Sequence, residues 1–494
     1  MDHQPPPLAR FFSTQNLLQP LHFLTAFLLI AISVLPCNAN PPSTHLATFE
    51  TDVTIPVGHP CMGGGIAPAR RVAQPLQAKG LILMQANTLP FVIVSVDWCE
   101  IRGSAFQEWK QVLAQETGTD PSRVLVTSTH VHDAPVMDPE AEFILRDTER
   151  GGAWKNLPPP DPKASIQMAS VCWPDFNRIV LARVRDAVRV SFAEAVPITE
   201  IGTGRARVDR IASNRRFLLP DGRVSYARYS RSARNPEAAE AGEGDIDPWL
   251  RTLSFWNGDK CVCEFHTYAV HPMSSYGAGE VSIDFVGLAR EERQKARPEV
   301  FQIYATGCAG NVTAGKYNDG TAKSREVLTA RLATAMEAAF QSTQRRTISP
   351  VQIRHGSIAL GARATKGYTR EELQQRLLGS SSPFARAEAA MGLAWYDLAD
   401  SGHRIDLPAI ELGHVRILLF PAESYVEYAL YAQDLSPDNF VISLGYGECG
   451  PGYIPIERAW TESDQNLRDW AWVGPGSEEP MRRAIREALG IKDK

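Results

Sequence analysis

No basic block runs through this sequence, and its absence removes one class of function. The formal net charge is −5, whereas nucleic-acid binding needs a positive footprint. Cysteine is scarce, with eight in 494 residues. Cys37 lies in the N-terminal segment. The other seven (Cys61, Cys99, Cys172, Cys261, Cys263, Cys308 and Cys449) are an odd number spread over a large domain, which is no disulfide scaffold. Cys261 and Cys263 share a strand face without the two-residue spacing of a zinc site. They read as buried small hydrophobes, with at most one bridge elsewhere. Internal repeats and interdomain linkers are missing too. Outside the N-terminus no apolar run is long enough to span a bilayer. What remains is an ordinary globular composition, 44% hydrophobic and 22% charged, enough for one large core or two modest ones.

The N-terminus carries the one long apolar run, Leu21 to Leu35, followed by Pro36, Cys37, Asn38 and Ala39. This reads as a signal-peptide core with a small-residue exit near Ala39. It predicts a leader over 1–39, a single domain over 40–494, and a secreted or periplasmic protein. An uncleaved anchor is the competing reading, because the leader is long and its one basic residue, Arg10, is offset by Asp2. Pro36 before Cys37 is not the small residue expected ahead of a lipid-modified cysteine.

Along the rest of the chain, strand-like and helix-like runs alternate. Leu81–Met84 and Phe91–Asp97 read as strands. Ala105–Ala114, Phe176–Val190 and Ser324–Phe340 have the apolar spacing of helices. Thr369–Ser401 reads as helical, broken at Ser380 to Pro383. The alternation predicts an α/β fold of layered mixed β-sheets flanked by helices. Asn156–Lys163 is proline-rich, and the acidic Glu237–Asp247 stretch reads as a mobile loop.

The chemistry lies at strand ends. Arg123–Thr129 is an apolar, β-branched run that delivers His130, Val131 and His132, then Pro135. Residues two apart on a strand share a face, so the two imidazoles project together. Taken alone, they could be ordinary histidines at the edge of a core. A second run, Lys260–Val270, delivers His271 and Pro272. A third, Val415–Phe420, delivers Pro421, Ala422 and Glu423, at the start of a helical Ser424–Gln433. Imidazole, imidazole and carboxylate at three strand ends are the ligand types of a catalytic zinc site with one position open to water. His266 lies mid-strand and reads as a core histidine. Asp97 is a candidate carboxylate for orienting a ligand histidine. Asp284 could do the same or cap a turn. Ser274 and Ser128 would be the nucleophiles of a rival serine mechanism, but neither sits in a Gly-x-Ser-x-Gly elbow.

These motifs together resemble the catalytic domain of the neutral/alkaline non-lysosomal ceramidases, over roughly Phe49 to Gly476. The family's Thr-His-x-His turn is similar to Thr129–His132 with Pro135. Its His-Pro-Thr-Ser segment is similar to His271–Ser274, and its Pro-Gly-Glu strand to Pro421–Glu423. Its late Tyr resembles Tyr453 in Gly452-Tyr453-Ile454-Pro455, and its Asn-Arg-Ser segment resembles Asn214–Arg216. The resemblance implies one Zn2+ per chain, held by His130, His271, Glu423 and Tyr453. It implies that His132 stays off the metal and handles protons or the oxyanion, and that Arg215 helps hold the polar head of the substrate. It implies an amidohydrolase for a ceramide-like lipid, a small amphiphilic substrate, and contact with a membrane periphery. Oligomeric state is left open.

The departures fall on substrate-contacting loops. The family's Ser-Asn-x-Gly-Asp-Val-Ser-Pro segment appears as Thr306–Ala314, and Thr461–Trp470 replaces the Tyr beyond the zinc Tyr. The family's C-terminal immunoglobulin-like domain is not expected here. Two further readings therefore stay open: a zinc hydrolase of the same scaffold with a different amide or ester substrate, and a non-catalytic binding homologue.

Overall fold

Alternation along single strands sorts side chains between two cores. In the Phe91–Val96 strand, Phe91 and Ile93 face a core shared by three sheets. Val92, Val94 and Val96 face a second core that includes the helices. This two-sided burial explains why the strand reads as a continuous apolar run. The computed structural model describes residues 44–149 and 169–492, and the residues from Pro42 onward form one unit. The expected leader and the proline-rich Asn156–Lys163 stretch lie outside the described residues.

The first sheet runs in the order Val124–Ser128, Phe91–Val96, Gln77–Gln85, Thr44–Asp52, Val196–Ile198. The second runs Phe301–Thr306, Lys260–Tyr268, Trp249–Asn257, Glu200–Arg207, Gln344–Thr347. The third runs Val351–Ile358, Ile405–Leu412, Val415–Leu419, Phe440–Leu444. Each sheet is antiparallel except for one parallel pair. Each parallel pair is joined by a crossover helix: Gly103–Thr117, Asp284–Ala296 and Val426–Asp434 respectively. Phe91 and Ile93, Phe265 and Ile303, and Ile417 and Ile442 meet where the sheets share their core. The architecture is therefore the expected α/β arrangement of mixed sheets flanked by helices.

The expected helices run a little longer than their apolar spacing suggested, to Pro174–Ala193 and Ala322–Gln341. The break at Ser380 to Pro383 separates Arg370–Gly379 from Pro383–Asp400. Thr369 caps the first through a capping box, and the Ser382 side chain caps the second. One expectation is corrected. The acidic 237–247 stretch is anchored: it opens in a short helix, Pro236–Glu240, Glu243 accepts from the Tyr317 hydroxyl at 2.6 Å, and Asp247 pairs with Arg251. Local composition could not show those distant partners. The one bridge that the cysteines left open is not formed among the described residues, where all seven are free and buried.

Among the described residues no helix is long and apolar enough to cross a membrane.

Candidate metal centre

The carboxyl ends of the three parallel pairs converge, the place where α/β sheets present ligand-binding loops. Hydrogen bonds tie the ends together. Thr127 Oγ1 donates to Gly445 O at 2.7 Å, Thr306 Oγ1 to Thr129 O at 2.8 Å, and Gly445 N to Thr306 O at 2.9 Å. These three bonds link all three sheets.

His130 does not continue its strand. The strand stops at Ser128, and His130 takes the left-handed conformation at φ 64°. The two imidazoles therefore share a site through a turn and not through period-two alternation. His132 Nδ1 donates to the carbonyl of His130 at 3.0 Å, and the ring centroids lie 4.8 Å apart. Ala422 and Tyr446 beside the same centre also have positive φ, 46° and 56°. Such conformations cost about 1–3 kcal/mol each in non-glycine residues and collect at functional sites.

His130 Nε2, His271 Nε2 and Glu423 Oε2 face one another. The separations are 3.1 Å between the imidazoles, 3.0 Å from His271 to Glu423 and 3.4 Å from His130 to Glu423. Each ligand-type histidine uses its other nitrogen on a backbone carbonyl: His130 Nδ1 on Cys99 O at 2.9 Å, His271 Nδ1 on Ala309 O at 2.6 Å. Only a protonated Nδ1 can make those bonds, so both Nε2 atoms carry lone pairs. Three lone pairs thus converge with no proton among them, and Glu423 Oε2 has no hydrogen-bond donor although it is fully buried. Protonating His271 instead would work against burial, which with the nearby Arg215 cation pushes it down to about 4. Burial opposes ionisation of Glu423 as well, and its carboxyl is held well below the usual range only with positive charge beside it at the His130 and His271 positions. A cation satisfies all three groups. Ligand bonds of about 2.0–2.2 Å in a tetrahedral zinc site set donor atoms roughly 3.3–3.6 Å apart, close to the distances here.

Cys99, His130 and His132 form the second cluster of metal-ligand types among the described residues. It fits less well. Burial holds the Cys99 thiol well above its ordinary range, and the nearby His130 nitrogen already faces the Cys99 carbonyl.

Tyr453 completes the neighbourhood. It pairs in register with Glu423 across a two-residue parallel ladder, and its hydroxyl accepts from Arg215 Nη1 at 2.8 Å. Burial holds the phenol above its ordinary range, against the pull of the Arg215 cation. Burial, reinforced by His130 and His271, holds His132 well below its ordinary range and so keeps it neutral.

No protein-family model matches the sequence. No curated protein matches it either. Solved structures do match. A neutral ceramidase from Pseudomonas aeruginosa superposes with a TM-score of 0.64 at 15% identity, covering 92% of this chain and 76% of that one. A ceramidase complexed with C2 gives a TM-score of 0.62 at 14% identity, again covering 92% and 76%. This chain has a neutral-ceramidase-like fold. The resemblance drawn from separate motifs thus extends to the architecture that carries them.

Within the neutral-ceramidase-like fold the centre opens into a cavity of about 390 Å³ that reaches His130, His132, Arg215, Glu423 and Tyr453. A larger cavity, about 490 Å³, is lined by Lys110, His403 and Glu448 and holds neither of the two metal-type clusters. Other sequence candidates lie elsewhere. His266 is a satisfied core histidine, bonded to Thr252 Oγ1 at 2.8 Å and Gln302 Oε1 at 3.0 Å. Asp97 orients no histidine, because its carboxylate grips Arg290 in two 2.9 Å bonds. Asp284 accepts from the backbone of Ser274 and Phe285 at a helix start. Ser274 Oγ donates to Asp284 and accepts from Arg325, and Ser128 Oγ donates to Cys99 O, so neither serine is poised as a nucleophile.

Sequence reasoning missed several members of the site. Tyr446 stacks on His130 at 4.1 Å and 19°. Cys99 and Ala309 supply the orienting carbonyls, and Trp470 lines the mouth. The available signal was the strand-end rule itself. Applied to Phe91–Val96, Phe301–Thr306 and Phe440–Leu444, it points to the loops holding Cys99, Ala309 and Tyr446.

Proposed function

We propose that this chain is an extracytoplasmic zinc-dependent amidohydrolase acting on an N-acyl amide of ceramide-like lipid type. One zinc would be held by His130, His271, Glu423 and Tyr453, within a single domain over 40–494. The observation that carries this reading is the convergence of two imidazole lone pairs and a buried, donorless carboxylate oxygen within 3.0–3.4 Å. The ceramidase-like fold supports the choice of amide substrate.

Zinc in such a site supplies a Lewis acid for the carbonyl and lowers the pKa of water to about 7. The chain's own groups do the rest. His132 is neutral, and its Nδ1 is committed to a carbonyl, so its Nε2 lone pair accepts a proton from the attacking water and returns it to the leaving amine. Arg215 holds Tyr453 through Nη1 and lines the cavity, where its guanidinium would meet a polar group of the substrate.

A second reading keeps the zinc chemistry and changes the substrate to another amide or an ester. It is favoured by the 461–470 segment, which places the exposed charges Arg468 and Asp469 beside the cavity. One experiment addresses both readings: hydrolysis of N-acyl lipids, amino-acid amides and esters by purified protein, before and after chelation and zinc return. Zinc-dependent turnover of N-acyl lipids is expected. Turnover of esters alone would select the second reading, and no turnover with full zinc would leave a binding protein. Export rests on the Leu21–Leu35 run, and N-terminal sequencing should find the mature chain starting near Asn40. An intact Met1 on soluble cytoplasmic protein would refute it.

A further inference from the structure

Trp470 is held by more contacts than a wall residue needs. Its indole N–H donates to Glu100 Oε1 at 2.9 Å. Glu100 is fully buried and paired with Arg102, whose guanidinium lies 5.0 Å from the Trp470 ring and 4.6 Å from Trp472. The backbone of Trp470 is left-handed at φ 60°, and its carbonyl accepts from the N–H of Tyr453 at 2.8 Å. A bulky residue persists in that conformation only where the surroundings over-determine it. These contacts fix the ring at the mouth of the metal cavity, stacked on Phe384 at 6.2 Å and 20°, with Met62 lining the same cavity. The polar lining includes Arg215, which reaches Asn466 at 3.4 Å, and the exposed Arg468 and Asp469 that precede Trp470. The cavity therefore offers an apolar aromatic and thioether surface and also a charged and amide surface.

We infer that Trp470 is the specificity-determining residue for the acyl side of the substrate: the acyl chain of an N-acyl amide lies on the Trp470–Phe384 surface while its polar amine portion meets Arg215 and Asn466. Glu100 and Arg102 are positioning residues that act through Trp470. The inference rests on the function proposed above. Apolar contact of this kind discriminates by roughly 10- to 200-fold for small changes in chain length, so it should be visible in kinetics.

The test uses zinc-loaded full-length protein and N-acyl amides of one fluorogenic amine with C2, C8 and C12 acyl chains. The wild type should favour C12 over C2 in kcat/KM. Trp470→Ala should shrink that preference at least about 10-fold, mainly through KM, and Trp470→Phe should restore part of it. Zinc content should stay at one per chain. A parallel titration with laurate, read by isothermal titration calorimetry, needs no turnover and should show binding that is lost in Trp470→Ala. Equal losses for C2 and C12, or loss of zinc, would make Trp470 merely structural and overturn the inference. If the wild type cleaves none of the amides with zinc in place, the proposed function fails. The laurate titration then decides alone: binding that Trp470→Ala abolishes keeps the apolar surface, and binding that it leaves intact removes it.

Discussion

Glu423 and Tyr453 face each other across a ladder only two residues long. Strand neighbours lie about 4.8 Å apart, so a carboxylate and a phenol in register on one face can meet a single ion. A one-residue slip of either strand would put the two side chains on opposite faces. Gly452 permits the register. It has φ 67°, and a Cβ there would come within 2.1 Å of the Trp470 carbonyl that accepts from Tyr453.

His266 within the second sheet and His271 just beyond its strand end should separate cleanly by metal content. His271→Ala is expected to lose zinc, and His266→Ala to retain it. The latter should still lose about 1–3 kcal/mol of stability, because Thr252 and Gln302 lose a buried partner. Elemental analysis alongside urea unfolding reads both effects. Zinc lost from His266→Ala and kept by His271→Ala would reverse the ligand choice.

His132→Ala should keep its zinc and lose about 10²–10⁴ in kcat, the range for a missing proton carrier or oxyanion donor. Metal and turnover should be measured on the same preparation. Zinc loss equal to that of His130→Ala would make His132 a ligand, and near-normal turnover would make it a bystander.

Ala422 stands where the resembling family has glycine, and its φ of 46° supplies the reason. The left-handed conformation costs an L-residue about 1–2 kcal/mol, and glycine's greater freedom when unfolded returns about 0.4–1 of that. Ala422→Gly is therefore expected to be neutral or to stabilise by up to about 1.6 kcal/mol. Ala422→Val should destabilise by about 1–3 kcal/mol. Shifts of the urea midpoint check the pair, and a clear loss in the glycine variant would contradict it.

Glu388 predicts a pH effect beside the metal cavity, since Asp469 and Trp470, which line it, act on its carboxyl. Burial, with Asp469 nearby, pushes its carboxyl from the ordinary 4.5 up to about 7. The folded protein keeps this proton to higher pH than the unfolded chain does. The associated stability is intact below about pH 4.5 and is lost as pH rises through 7. Glu388→Gln should remove that loss and be more stable than the wild type at pH 8, by about 1–3 kcal/mol, with little gain at pH 4.5. Thermal melts across pH 4.5–8 would show it. A constant difference between the two proteins at all pH values would exclude the ionisation as the cause.

The parts of the site legible in the sequence are those written into local pattern. Apolar β-branched runs ending in His130 and Glu423 mark strand ends, because a strand buried on both faces is largely apolar; the strand before His271 also carries buried Glu264 and His266, so its pattern was less clear. Less legible was everything made by distant backbone. The carbonyls of Cys99 and Ala309 orient the two imidazoles, yet a carbonyl leaves no mark on residue type. Asp97 had a plausible residue type and position, but its partner proved to be Arg290, 193 positions away.

The sequence by itself determined which strands are buried on both faces, where they end, and which donor atoms wait there. Alternation and residue chemistry act over a few positions, so a linear reading captures them. Only the tertiary structure decided that three separate sheets bring those ends together. His130 and His271 are 141 positions apart, yet their Nε2 atoms lie 3.1 Å apart. The left-handed turn at His130 and the register of Glu423 with Tyr453 were decided there too. The physical reason is that the three crossover units share a single core, so their carboxyl ends are positioned by packing among the sheets, over distances that no local pattern records.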